Sequence, residues 1–166
     1  MEKSFFIRPV SMVGEVMSDL DSPRTTLHIV CGLPASGKTT YGRRLAAGLR
    51  AAFLDSDTAT DLMIQAAHLA AGYDPHDRDS ARYKQTYRLP VYETLFALAA
   101  ENLPHTDVVL AGPFTSELAQ RATWQQELEA RFTGHEVVIH HQQLPEDLRI
   151  QRMLDRGAAR DAAKFH

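Results

Sequence analysis

The sequence has few of the features that mark extracellular or membrane proteins: its 166 residues include one cysteine, Cys31, and no long apolar run. A lone cysteine excludes an internal disulfide and suits a reducing compartment. No apolar stretch approaches the roughly 20 residues that span a bilayer. Near the N-terminus, Arg8 and Pro9 interrupt the apolar residues where a signal peptide needs a continuous apolar segment. These absences predict a soluble, cytoplasmic protein with no membrane partner.

A strong charge excess is also absent, since the formal net charge is −3. A dedicated nucleic-acid binder usually carries a basic surface, so this balance argues against a nucleic-acid partner. With 44% hydrophobic and 23% charged residues, the composition is that of an ordinary globular domain. The polar stretch over residues 19–26 predicts a boundary between an N-terminal arm (1–26) and a main domain (27–166).

Beyond residue 26, short apolar runs alternate with helical periodicities. Four runs predict buried strands, at residues 27–31, 51–55, 107–111 and 136–140. One intervening segment predicts a long helix that begins after an N-cap at Ser80 and is kinked at Pro90. Another predicts a single helix over 116–132. Strands that alternate with helices indicate an α/β fold, in which a parallel sheet is covered on both faces.

The segment after the first predicted strand reads GLPASGKTT and matches the pattern G-x-x-x-x-G-K-[ST]. Gly32 and Gly37 allow a backbone whose amides surround an anion at the start of a helix. We expect Lys38 to reach the β- and γ-phosphates of a nucleoside triphosphate, and Thr39 to bind Mg²⁺. The predicted nucleotide-binding residues are Gly32, Leu33, Pro34, Ala35, Ser36, Gly37, Lys38, Thr39 and Thr40.

Two aspartates, Asp55 and Asp57, follow the second predicted strand. In open α/β sheets, ligands bind outside the carboxyl ends of the strands, so both lie near the predicted phosphate site. A carboxylate there can accept a proton from a substrate hydroxyl or orient that hydroxyl for in-line attack. The spacing leaves a second interpretation open, in which Asp57 caps the next helix and Asp55 is a turn residue.

Four arginines form a stripe on the last predicted helix, three or four residues apart: Arg149, Arg152, Arg156 and Arg160. Like charges at this spacing destabilise an isolated helix, so an anion opposite them would help. A triphosphate is such an anion, and arginines can stabilise its charge during transfer. The alternative is a solvated basic face. Gly157 is consistent with a lid that bends.

Three stretches resemble small P-loop kinases, the group that includes chloramphenicol phosphotransferase, zeta toxin and polynucleotide kinase, and bacterial AAA-family ATP-binding proteins. They are GLPASGKTT (32–40), FLDSDTATDLM (53–63) and LRIQRMLDRGAARDAAK (148–164). The resemblance implies a P-loop NTPase three-layer sandwich with a C-terminal arginine lid. Its parallel sheet would have four strands, or five if residues 5–10 supply the fifth. The resemblance also implies ATP and Mg²⁺ as cofactors.

By that resemblance, Asp57 looks like the base that takes the proton from the acceptor hydroxyl. Arg156 and Arg160 look like lid arginines that hold the phosphates, with Arg152 as a third. Relatives often carry a basic residue where this chain has Thr60. The third strand also ends without the acidic residue of a Walker B motif. Mg²⁺ is therefore expected on Thr39, phosphates and water, with Asp55 acting through water.

The resemblance implies an ATP-dependent phosphotransferase that acts on a hydroxyl of a small molecule, which would bind over residues 58–102. Arg78, Arg82 and Arg88 are candidates to contact that molecule, whereas Tyr83 and Tyr87 are interpreted as core residues from their spacing. Two alternatives stay open. One is a polynucleotide 5′-hydroxyl kinase, and the other is a nucleotide-dependent binding or switch ATPase with little transfer activity.

Overall fold

The computed structural model describes residues 24–156, and the side chains as far as Asp155. Most of the predicted N-terminal arm, including the candidate fifth strand at residues 5–10, lies outside the described residues. So do Gly157 and Arg160 of the predicted lid.

A parallel sheet of four strands forms the centre of the described chain, with the spatial order β2-β3-β1-β4. The strands are β1 (Thr26–Cys31), β2 (Ala52–Asp55), β3 (Val108–Ala111) and β4 (Glu136–His141). Each predicted strand is confirmed, with ends within one residue of the prediction. Because all four strands are parallel, their carboxyl ends lie along one edge of the sheet.

Helices follow or separate the strands, as the α/β pattern predicts. They are α1 (Lys38–Leu49), α2 (Ser56–Ala70), α3 (Ala81–Thr86), α4 (Arg88–Asn102), α5 (Thr115–Leu118), α6 (Arg121–Arg131) and α7 (Glu146–Arg156). Within residues 24–156, no helix combines the length and the apolar character that a bilayer crossing requires.

The prediction of one long helix kinked at Pro90 is wrong, because the chain forms two helices that meet at Tyr87. Proline has no backbone N–H, and its ring clashes with the carbonyl four residues earlier. The first helix therefore ends at Thr86, and Pro90 occupies the first turn of α4, where its missing N–H costs little. The N-cap at Ser80 is confirmed, since its Oγ accepts a hydrogen bond from the Tyr83 amide at 3.0 Å.

The single helix predicted over 116–132 is also wrong. It begins one residue earlier and is divided into α5 and α6 by a turn at residues 119 and 120. With this turn, Leu118 of α5 and Trp124 of α6 both pack against the main core cluster. Burial of two large apolar side chains outweighs the continuity that the sequence pattern suggested.

The core lies on both faces of the sheet, because inward residues alternate along each strand. On one face, Leu27, Ile29 and Leu110 pack with α4 and α6 in the larger cluster. On the other face, Val30 and Val109 pack with α1 in a smaller cluster. The predicted α/β fold, with helices on both faces of a parallel sheet, is therefore confirmed.

Candidate functional site: a phosphate cradle and an adjoining cleft

The loop between β1 and α1 adopts a backbone that depends on its glycines. Gly32 has φ 144° and Gly37 has φ 93°, both in the left-handed region that side chains disfavour. A Cβ at Gly32 would also overlap the carbonyl oxygen of Gln142. Gly37 occupies the N-cap position of α1 without a side-chain cap, so no side chain of the described residues takes the first amides of the helix. A helix N-terminus left in this state suits an anion.

Two polar side chains of the loop are also consistent with anion binding. The ammonium of Lys38 donates to the carbonyl oxygen of Leu33 at 2.8 Å, so the side chain folds back over the loop. The Ser36 hydroxyl is buried and makes no hydrogen bond within residues 24–156. A buried hydroxyl without a partner is costly and is commonly explained by a ligand or water.

Asp55 ends β2 and links the loop to α2. Its Oδ2 accepts a hydrogen bond from Thr39 Oγ1 at 2.9 Å, and its Oδ1 accepts from the amides of Asp57 and Thr58, each at 3.1 Å. Asp55 is therefore the N-cap of α2. The interpretation of Asp57 as the cap and Asp55 as a plain turn residue is wrong. Asp57 instead lies in the first turn of α2 and lines the cleft described below.

The Thr39 hydroxyl and the Asp55 carboxylate form a pair of hard oxygen donors beside the loop. Within the described ranges, no group of three or more His, Cys, Asp or Glu residues is placed to hold a metal ion. Mg²⁺ is usually bound through one or two protein oxygens, with substrate phosphates and waters as the other ligands. The donor set of Thr39 and Asp55 therefore fits Mg²⁺ accompanied by a nucleotide.

A cleft of about 650 Å³ extends from the loop across the carboxyl edge of the sheet. Its phosphate half is lined by residues 33–35 and 37–40 together with Asp55 and Arg152. A Cβ built on Gly37 would lie 3.6 Å from Nη1 of Arg152, which places this guanidinium over the start of α1. Of the predicted stripe, Arg149 does not line the cleft, and Arg156 ends α7 without a described side chain.

The acceptor half of the cleft is lined by side chains from α2, the loop after it, and α3 to α5; those used below are Asp61, Arg78, Tyr83, Lys84, Arg88, Tyr92 and Thr115. Asp57, in the first turn of α2, also lines the cleft. Of the predicted contact residues, Arg78 and Arg88 are present, whereas Arg82 packs over the Tyr73 ring outside the cleft lining. Asp61, Lys84 and Thr115 were not predicted, since nothing in their local sequence marks them.

An ion pair fixes the outer wall of the acceptor half. Arg78 Nη2 lies 2.5 Å from Asp61 Oδ1, and the Arg78 side chain is 13% exposed. The same guanidinium also donates to the carbonyl oxygens of Pro75 and Asp77 and lies against the Tyr83 ring. Burial raises the pKa of the Tyr83 phenol, and the nearby Asp57 carboxylate adds to that rise.

The inner wall is built around Arg88. Its Nε donates to Tyr92 Oη at 3.3 Å, and its Nη2 lies 3.2 Å from Thr115 Oγ1 and 3.5 Å from Glu117 Oε2. Burial alone would lower the pKa of Arg88, but the hydrogen bond to Tyr92 and the charge of Glu117 raise it. Burial in turn raises the pKa of Tyr92. Arg88 is thus a positively charged side chain that lines the cleft and is held in place by its hydrogen bonds to Tyr92 and Thr115.

A glycine-containing loop between the first strand and a helix, at the carboxyl edge of a parallel sheet, defines a P-loop nucleotide-binding protein. The chain belongs to the AAA domain family, whose model matches residues 27–166. Among curated proteins, none matches this sequence.

Solved structures with the same fold include kinases. A protein from Chloroflexus aurantiacus assigned as a kinase is 25% identical, with a TM-score of 0.55 over 80% of this chain and 67% of its own. A sugar kinase from Janibacter sp. HTCC2649 is 16% identical, with a TM-score of 0.53 over 83% of this chain and 70% of its own. A chain of the Pnkp1/Rnl/Hen1 RNA repair complex is 18% identical, with a TM-score of 0.52 over 89% of this chain and 44% of its own. The fold is that of P-loop kinases.

Proposed function

We propose that this protein is an ATP-dependent phosphotransferase that moves the γ-phosphoryl group to a hydroxyl of a small molecule. The observation that carries the proposal is one continuous cleft lined by Lys38, Asp57 and Arg152. In this proposal Lys38 is a phosphate ligand, Asp57 is the candidate base, and Arg152 is a second cation in the same cleft. The kinase fold of the chain supports this assignment.

The phosphates are proposed to lie on the amides at the start of α1, where Gly37 leaves the helix uncapped. Lys38 would leave the carbonyl of Leu33 and contact the β- and γ-phosphates. Thr39 would turn its hydroxyl from Asp55 toward the cation. When bound, Mg²⁺ neutralises charge that develops on the transferred group.

The transfer step needs a proton acceptor beside the nucleophile, and Asp57 is the residue proposed for it. The acceptor oxygen forms a bond to the γ-phosphorus while the bond from that phosphorus to the β,γ-bridging oxygen breaks. The hydroxyl proton passes to the Asp57 carboxylate, and ADP leaves. Arg152 would contact the phosphates from the opposite side, and we extend this role to Arg156 and Arg160.

The test is transfer of label from γ-labelled ATP to a panel of hydroxylated compounds, with a 5′-hydroxyl oligonucleotide included. We expect Mg²⁺-dependent labelling of small molecules and none of the oligonucleotide. Arg44→Ala serves as the control, because this exposed residue of α1 does not line the cleft. Release of free phosphate without any labelled acceptor would instead indicate a binding or switch ATPase. Labelling of the oligonucleotide alone would indicate a polynucleotide kinase.

A further inference from the structure

The acceptor half of the cleft contains more charge than a neutral compound would need. Six charged side chains line it or stand at its border: Asp57, Asp61, Asp79, Arg78, Lys84 and Arg88. Their formal charges cancel, but they are not evenly placed. The acids Asp57 and Asp61 lie on α2, whereas Lys84 and Arg88 lie on α3 and α4. The cleft is therefore polarised, with its positive wall away from α2.

The positive wall is incompletely neutralised. The exposed Lys84 ammonium makes no ion pair or hydrogen bond with any residue in the described range. Arg88 contacts one oxygen of Glu117 at 3.5 Å, which is too long for a strong hydrogen bond. Its Nη1 makes no hydrogen bond to the described residues. Two cations that share one wall repel each other unless an anion lies between them.

The surroundings of Arg88 favour a carboxylate as that anion. Nε and Nη2 are committed to Tyr92 and Thr115, so the guanidinium is held in one orientation, and Arg88 and Thr115 both line the cleft. Because Thr115 Oγ1 accepts from Arg88, its own proton is available to a second oxygen. One Arg88 N–H and one Thr115 O–H match the two oxygens of a carboxylate.

Arg88 shares the cleft with Asp57, the candidate base. Tyr83 lines the same cleft and interacts electrostatically with both Asp57 and Arg88. A compound bound in this cleft can therefore contact both Asp57 and Arg88. We propose that the phosphoryl acceptor is a hydroxy acid, whose hydroxyl meets Asp57 and whose carboxylate binds Arg88 and Thr115, with Lys84 beside them. This inference rests on the proposed kinase function.

The experiment compares glycerate, threonate and galactonate with their neutral amides as acceptors for γ-labelled ATP. We expect the acids to be labelled in preference to the amides. Arg88→Gln should raise KM for the acid about 10- to 100-fold, because a charged hydrogen bond contributes roughly 1.5–3 kcal/mol. KM for ATP should not change. Lys84→Gln should have the same direction of effect and a smaller size.

The matched control is Glu117→Gln, which removes the same ion pair but keeps the guanidinium. If Arg88 only ties α4 to α5 through Thr115 and Glu117, Arg88→Gln should lower the stability and raise KM for acids and amides alike. An anion site predicts instead that Glu117→Gln leaves KM for the acid unchanged or lowers it, because a competing carboxylate is gone. Equal labelling of acids and amides, or an unchanged KM in Arg88→Gln, refutes the hydroxy-acid inference while the kinase stands. A wild-type protein that labels nothing in any panel overturns the kinase proposal, and this inference with it.

Discussion

In the phosphate half of the cleft, the backbone of residues 32–40 forms most of the site, whereas the acceptor half is assembled from side chains of four helices and a loop. The first depends on glycine conformations within one short segment. The second depends on contacts such as Arg78 with Asp61 and Arg88 with Thr115, which join residues 17 and 27 positions apart in sequence. A backbone site is thus fixed locally, whereas a side-chain site is fixed by the whole fold.

The largest loss of activity is expected for Lys38→Ala, which removes the proposed phosphate ligand but leaves the loop backbone. Loss of one such electrostatic contact typically lowers kcat about 100- to 1000-fold. Steady-state transfer assays should show this loss, with Arg44→Ala close to wild type. A Lys38→Ala protein of normal activity would mean that the backbone alone carries the phosphates.

Gly32→Ala tests the backbone itself. A side chain there meets a φ of 144° and the carbonyl oxygen of Gln142. Strain of this kind costs about 1–3 kcal/mol, so the free energy of unfolding should fall by that amount. Gly48→Ala is the control, because a Cβ there meets nothing within 4 Å. Replacement of this helical glycine should instead add up to about 1 kcal/mol of stability in denaturant titrations.

Asp61→Asn tests the acceptor half in the same way. The variant removes one partner of a half-buried pair and leaves Arg78 with its two carbonyl contacts. We expect a loss of about 1 kcal/mol in stability and a higher KM for the acceptor, with KM for ATP unchanged. If KM for ATP rises by as much as KM for the acceptor, the two halves are not separate units.

The smallest expected effect is a pH dependence of stability that arises from two histidines packed near α1. His140 lies 3.0 Å from Tyr41 Oη and 3.1 Å from His28 Nδ1. Burial lowers the pKa of both histidines from 6.5, although Asp107 and Glu136 partly oppose this for His28. As pH falls, the unfolded chain therefore takes up protons before the folded chain does. The contribution of these two histidines to stability is complete above pH 6.5 and is lost as pH drops toward their pKa values in the folded protein.

Because both histidines are partly exposed, this loss should stay under about 1 kcal/mol at pH 5.5. Unfolding titrations at pH 7.5 and 5.5 measure it. His140→Phe should reduce the difference between the two pH values, whereas the exposed His105→Gln should leave it intact. A protein that becomes more stable as pH falls over this range would contradict the assignment.

The same contrast explains how much the sequence alone could predict. The GLPASGKTT segment predicts a phosphate-binding loop from nine consecutive residues, and the four strands follow from short apolar runs. The spacing allows Asp57 as the cap of α2 and Asp55 as a turn residue; only the hydrogen bonds from the Asp57 and Thr58 amides show that Asp55 is the cap. The helix break at Tyr87 follows from the clash of the Pro90 ring with the preceding turn, which helical periodicity alone does not show. Lys84 and Thr115 become site residues only through tertiary contacts.

The most direct test of the account is Asp57→Asn, assayed for both phosphoryl transfer and nucleotide affinity. The change keeps the size of the side chain and removes its capacity to take a proton. We predict that transfer falls about 100- to 10,000-fold, while Kd for ATP stays within about twofold of wild type because Asp57 lies outside the phosphate cradle. Transfer at the wild-type rate with unchanged ATP binding would contradict the account.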